Sequence, residues 1–209
     1  NDISFGLKSS IRLFADDCLL YRTINHPSDI EIMQQDLNLL TTWAASWQMS
    51  FNVDKCESLR ITNARKNVFL GNYTMNGQQL AWTQSAKYLG LNINNTLSWS
   101  PHIRSMTSQA KRTLGFVRRN LVECPKPVKQ RAYLSLVRPK MEYASCVWSP
   151  HNQQDIKAVE QVQRSAARFV LNKPHRRRAG MHDDVTNMVA GLEWVTMALR
   201  RDKATVTML

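Results

Sequence analysis

Hydrophobic and polar positions follow two different periods along this 209-residue chain, and the change falls near Trp99. Before it, short apolar runs are interrupted by turn formers. Residues 11–21 read Ile-Arg-Leu-Phe-Ala-Asp-Asp-Cys-Leu-Leu-Tyr. Two strands around a tight Asp16-Asp17 turn are predicted, because Asp tolerates turn geometry and the flanks suit strands. Ser28 and Glu31 then stand at capping-box spacing behind Pro27. Ile30, Met33, Leu37, Leu40, Ala44 and Trp47 follow at steps of three and four. That spacing predicts one buried face of a helix of about five turns. A strand is expected over 51–62, entered through an Asn52-Val53-Asp54-Lys55 turn. Asn76-Gly77 signals a hairpin, and 88–93 reads as one further strand.

After Trp99 the period is helical. Ile103, Met106, Ala110, Leu114 and Val117 define one face, while Arg104, Lys111 and Arg118 step by seven along another. A second helix is expected over 127–138, broken at Pro139. A third is expected over 154–171, with Lys157, Arg164 and Arg168 on its polar side. Residues 175–178 read as a loop, and a last helix is expected over 185–203. The expected fold class is therefore α+β, an antiparallel sheet with a packed helix over 1–97, followed by an all-helical domain over 98–209.

Charge sharpens this division. The formal net charge is +12, but residues 1–100 sum to zero and the whole excess lies in 101–209. A half this basic points to a phosphate-rich partner. Arginine outnumbers lysine there, and a guanidinium can grip a phosphate bidentately. No apolar run reaches the ~18 residues of a membrane span, and no signal peptide opens the chain. A membrane partner is not expected. Cys18, Cys56, Cys124 and Cys146 form no CxxC pair, so free thiols are expected rather than zinc or disulfides. The tryptophans are read mostly as core, Trp47 among them because it falls on the apolar stripe. The first residue is Asn rather than Met, so a piece of a longer protein is expected.

Adjacent carboxylates on a turn between apolar strands suit Mg²⁺, which takes one or two carboxylates together with waters and substrate phosphates. Asp16 is expected to be the direct ligand and Asp17 secondary, because successive strand side chains point to opposite faces.

An ordered series of segments extends this reading. Phe14-Ala15-Asp16-Asp17 resembles the aromatic-Ala-Asp-Asp box of reverse transcriptases. It is followed by Trp43-Ala44-Ala45-Ser46-Trp47, by Phe51-Asn52-Val53-Asp54-Lys55-Cys56-Glu57 and by Lys87-Tyr88-Leu89-Gly90-Leu91. Trp99-Ser100-Pro101-His102-Ile103, Leu114-Gly115-Phe116-Val117-Arg118-Arg119-Asn120-Leu121 and Leu136-Val137-Arg138-Pro139-Lys140-Met141-Glu142-Tyr143 come next. Val159-Glu160-Gln161-Val162-Gln163-Arg164 follows them. In this order they resemble the C-terminal part of the polymerase of non-LTR (LINE, jockey-like) retrotransposons.

The resemblance implies a partial palm over 1–97 and a template-primer-binding thumb over 98–209. It implies Mg²⁺-dependent nucleotidyl transfer from a dNTP to a primer 3′-hydroxyl on an RNA template. Asp16 and Asp17 would hold metal in a two-metal site that lacks its upstream aspartate. Lys55 would donate a proton to the leaving pyrophosphate. Tyr88, Leu89 and Gly90 would meet the primer, although Gly90 equally suits a strand bulge. Nucleic acid would be met by Arg104, Lys111, Arg112, Arg118, Arg119, Arg164, Arg168, Arg176, Arg177 and Arg178. With the earlier palm aspartate and the fingers absent, little activity is expected of the chain alone. The alternative is a non-catalytic nucleic-acid-binding relic of such an element.

Overall fold

The computed structural model describes residues 2–64, 69–173 and 185–207. They form two compact units that divide between Ser98 and Trp99.

In the first unit, β1 (Ser10–Phe14) and β2 (Asp17–Tyr21) pair antiparallel with Phe14 opposite Asp17. The predicted strand-turn-strand is thus present. Strand periodicity puts Ile11 and Leu20 on one face, where they pack with Leu37 and Leu40 of α1 (Pro27–Ser46), Ile3, Met75 and Leu80. Buried Leu37, Leu40 and Ala44 are the predicted stripe of α1. Trp47 departs from that stripe. The helix ends one residue earlier, and as C-cap its ring is 59% exposed rather than in the core. The start of α1 differs too. Asp29 rather than Glu31 accepts the backbone N–H groups of Asn25 and His26, each at 3.0 Å. It does so because the helix begins at Pro27, which puts Asp29 in the first turn. Arg22 adds Nε and Nη2 donations to the same carboxylate at 3.0 and 2.8 Å. That guanidinium and the two amides hold the Asp29 carboxyl below its ordinary pKa.

The strand expected over 51–62 shrinks to β3 (Glu57–Leu59), because a 3₁₀ turn occupies Val53–Lys55. Asn76-Gly77 links β4 (Thr74–Met75) to β5 (Gln78–Gln79), with φ +52 and +76. This is the type I′ hairpin signal at work. β6 (Ala81–Thr83) pairs with β3 in parallel, against the mostly antiparallel expectation. Residues 88–93 are not one strand. β7 (Ser85–Tyr88) and β8 (Leu91–Asn94) form a hairpin turned by Leu89 and Gly90, both at positive φ. Instead of one continuous palm sheet, the described residues of this unit carry four two-stranded sheets.

In the second unit, α2 (Ser100–Asn120) buries Ile103, Met106, Ala110, Leu114 and Val117, the predicted face. α3 (Lys126–Ala132) leads into a π-helical turn over Tyr133–Val137 and then α4 (Arg138–Glu142). Pro139 therefore does not break this segment. The wider turn shifts the hydrogen-bond register ahead of it, and Pro139 sits in the first turn of α4, where no N–H is needed. α5 (Ser145–Trp148) was not anticipated, and α6 (Gln153–Val170) matches the third predicted helix. The single helix expected over 185–203 is two, α7 (Val185–Ala190) and α8 (Met197–Thr207), with Glu193 at φ +57 between them.

α2 and α6 pack lengthwise and are also tied at their starts. Ser100 Oγ and Asn152 Nδ2 both donate to Asp155 Oδ2, and the Asp155 N–H donates to Asn152 Oδ1 at 2.7 Å. Beside this knot, His102 is 7% exposed and lies against the Trp99 and Trp148 rings. Burial lowers its pKa from the usual 6.5. The unfolded chain therefore takes up a proton that the folded unit resists. We expect stability to fall as pH drops through about 6.5, then to level off below the folded pKa. Urea melts of the chain and of His102→Gln between pH 5 and 8 check this: the variant should lose that part of the slope.

Candidate functional site

The β1–β2 turn consists of Ala15 and Asp16 alone. Ala15 has φ +53, while Asp16 does not have a positive φ. That is the II′ pattern, which matches the twist of the strands but usually places Gly first. An L-residue there is held at a cost of ~1–2 kcal/mol. The result is a short, sharp tip with Asp16 in the turn and Asp17 opening β2, both exposed. Phe14, opposite Asp17, is 63% exposed, so the tip joins an aromatic face to two carboxylates.

The base of the hairpin is firmly placed. Asp36 of α1 is 1% exposed and accepts the backbone N–H groups of Lys8 and Ser9 at 3.0 and 2.7 Å. The Arg22 Nη1 donates to Lys8 O at 3.0 Å. These contacts fix the chain just before β1. Nothing in the periodicity singled out Asp36; a carboxylate in place of an apolar residue beside the Leu37 stripe was the available signal.

Lys55 is exposed at the end of the 3₁₀ turn. Its neighbour Cys56 and the hairpin's Leu20 pack against the same core cluster. Burial raises the pKa of the half-buried Cys18 thiol, and a charge on Cys56 would raise it further. β3 continues from Cys56 and lies beside β7, and the Thr62 N–H donates to Asn95 O at 2.9 Å. The hairpin tip, the Lys55 turn and the Tyr88-Leu89-Gly90 turn all belong to the first unit. Gly90 is the second residue of a tight turn, at φ +79, and no bulge is involved.

Exposed carboxylate oxygens on a turn are hard donors of the kind Mg²⁺ takes together with waters and phosphates. Among the described residues, no three His, Cys, Asp or Glu side chains gather into a closed metal cage. Asp16 and Asp17 are the tip residues that could hold such an ion. A shallow cavity of ≈ 450 Å³ runs beside β1, lined by Ile3, Ser4, Ser9, Ile11, Arg12 and Leu13. None of these is a carboxylate, so the candidate chemistry belongs to the exposed tip.

In the helical unit, Arg104, Lys111, Arg112 and Arg119 are exposed on α2 and Arg118 is half-buried. Step seven drifts around a 3.6-residue helix, which turns Arg118 toward the flank. On α6, Lys157 and Arg164 are exposed and Arg168 is half-buried. Arg176, Arg177 and Arg178 lie outside the described residues. Among the described residues, no helix is long and apolar enough to cross a membrane.

Known proteins extend this picture. Over 170 residues the chain is 26% identical to the RNA-directed DNA polymerase from mobile element jockey of Drosophila funebris, covering 78% of this chain and 18% of that protein. It is 22% identical over 176 residues to the probable RNA-directed DNA polymerase from transposon X-element of Drosophila melanogaster, covering 81% and 19%. The corresponding protein from transposon BS of the same species is 22% identical over 183 residues, covering 85% and 20%. The chain thus spans about a fifth of the length of these relatives. No family model and no solved structure matches it.

Proposed function

From its kinship with the RNA-directed DNA polymerases of jockey-like and other non-LTR transposons, we propose that this chain is the palm-and-thumb portion of such a polymerase. Residues 1–97 would be the partial palm and 98–209 the thumb. The observation that carries the reading is the Phe14–Asp17 tip: an exposed aromatic residue and two exposed carboxylates at a two-residue turn and the strand ends beside it. It stands in a chain whose likeness to those enzymes runs over about four-fifths of its length.

In this reading Asp16 and Asp17 hold Mg²⁺, Asp16 more directly. The ions, when bound, would stabilise the attacking 3′-hydroxyl oxygen and the leaving pyrophosphate oxygen. Lys55 faces the leaving pyrophosphate, where an ammonium both neutralises charge and can give up a proton. The Leu89-Gly90 turn meets the primer backbone. The basic helical unit positions an RNA-template/DNA-primer duplex through its phosphates, contacts that carry little sequence information.

Two neighbouring carboxylates are a sparse site for two ions, so the chain alone would bind duplex yet extend primers poorly. Incubating it with a primed RNA template, Mg²⁺ and dNTPs tests this. We expect salt-sensitive duplex binding and little or no extension, with Asp16→Ala leaving binding unchanged. Robust incorporation that Asp16→Ala abolishes would overturn the inactivity of the isolated chain and confirm the site. Absence of duplex binding would overturn the reading as a whole, including the relic alternative, which keeps the duplex grip and lacks the chemistry.

A further inference from the structure

Residues 58–86 fall between the polymerase-like segments 51–57 and 87–91 and belong to neither. β3 and β6 pair in parallel there, with Ser58 opposite Trp82. Side chains of paired residues share a face, and the next on that face is two residues along. Arg60, just past the end of β3, follows that rule. Its guanidinium carbon stands over the Trp82 ring, 5.9 Å from the ring centre. Both residues are exposed, Trp82 by 42%. Among the described residues Arg60 is in no ion pair. Its guanidinium thus faces an indole rather than a carboxylate.

The indole is braced from inside the unit. Tyr73 leans on it with ring centroids 6.1 Å apart and planes at 45°. Tyr73 itself packs against the core cluster of Ile3, Leu37, Leu40, Met75 and Leu80. A Cβ at Gly71 would come within 2.5 Å of Ile30 Cγ2 and 3.2 Å of the Tyr73 ring, so that seat needs glycine. Trp82 is therefore a fixed plane, while Arg60 is an exposed plane on a flexible stem. The gap between them is wider than the ~3.5–4.0 Å of carbon–carbon contact. It is a little short of the ~7 Å, twice that contact, at which a flat ring touches both. Rotation about the Arg60 side chain supplies the rest.

We infer that Trp82 and Arg60 form a clamp for one unpaired nucleobase of a single-stranded nucleic acid. The base stacks on the exposed indole and the guanidinium closes over its other face. Aromatic rings and guanidinium planes are the two surfaces on which proteins hold unstacked bases. A base suits this clamp better than a proline-rich peptide, because a proline ring offers the guanidinium no π face. Purines overlap an indole more than pyrimidines do, so adenine is the expected best occupant. The clamp lies wholly in the first unit and does not rest on the duplex grip proposed for the helical one.

The test compares an oligoadenylate with an abasic strand of the same length and charge, both titrated into the whole chain. About 0.5 M salt screens most phosphate contacts and leaves stacking in place. The Trp82 indole N–H signal, assigned by its loss in Trp82→Phe, gives the local readout by NMR. Oligoadenylate should shift that signal and bind more tightly than the abasic strand. Trp82→Ala should cost about tenfold in oligoadenylate affinity, the order of one lost base stack, and Trp82→Phe should recover most of it. Arg60→Ala, at an exposed position, should cost about threefold with an unchanged circular dichroism melt. It decides the matter should Trp82→Ala fail to fold. Equal binding of the two strands, or base-dependent binding that neither Trp82→Ala nor Arg60→Ala weakens, would overturn the inference. A proline-rich peptide that shifts the Trp82 signal where oligoadenylate does not would overturn it too. Duplex binding that persists in any of these cases would leave the reading of the helical unit standing.

Discussion

Replacing Trp148 with alanine is expected to remove about 3–5 kcal/mol from the helical unit, in the range of large-to-small aromatic substitutions in cores. The ring is 0% exposed and its Nε1–H donates to Tyr143 O at 2.7 Å. It also lies against His102 of α2, with ring centroids 5.9 Å apart. The substitution would leave a large void and also remove the indole hydrogen bond to the Tyr143 carbonyl. Small domains hold only ~5–15 kcal/mol in total, so much of the population would unfold at physiological temperature. Trp148→Phe keeps most of the volume and drops only the indole donor, and should lose less than half as much. Urea denaturation followed by circular dichroism reads both variants. Equal losses would show that the hydrogen bond rather than the packing holds the ring.

Asp36→Ala is the second large effect and acts on the other unit. It would leave the Lys8 and Ser9 amides without their acceptor just where the chain enters β1. A buried amide without a partner loses ~1–3 kcal/mol, and two are exposed to that loss here. Asp36→Asn keeps one carbonyl oxygen and should recover about half. Hydrogen exchange at Lys8 and Ser9 gives the local readout: protection should drop there before it drops in α1. If exchange at these amides were unchanged, Asp36 would not be what seats the hairpin.

The strand-turn-strand of residues 11–21, with its turn one residue earlier at Ala15-Asp16, the α1 stripe and the helical face of α2 were legible in the sequence. In each, local preference and burial pattern agree, which is when periodicity is a sufficient guide. The places where prediction and structure part have local causes. Trp47 keeps the spacing of the stripe, but the helix stops before it. Pro139 is a helix breaker, yet a π-turn ahead of it absorbs the missing N–H. Leu89-Gly90 turns a chain that reads as one apolar run, because a type I′ turn needs two positive φ angles and the polar residues that usually mark it are missing.

By themselves, the residues determined which groups could do chemistry: two carboxylates on a turn, one lysine after a turn, and a basic helical half. Residue identity sets donor type, charge and helix face, and all three are local quantities. Only the tertiary structure decided which segments within each unit come together. The seating of β1 on Asp36 and the packing of α2 against α6 depend on contacts between segments tens of residues apart. Burial of an apolar face fixes that such segments meet; their register is set by the particular side chains that fill the space between them.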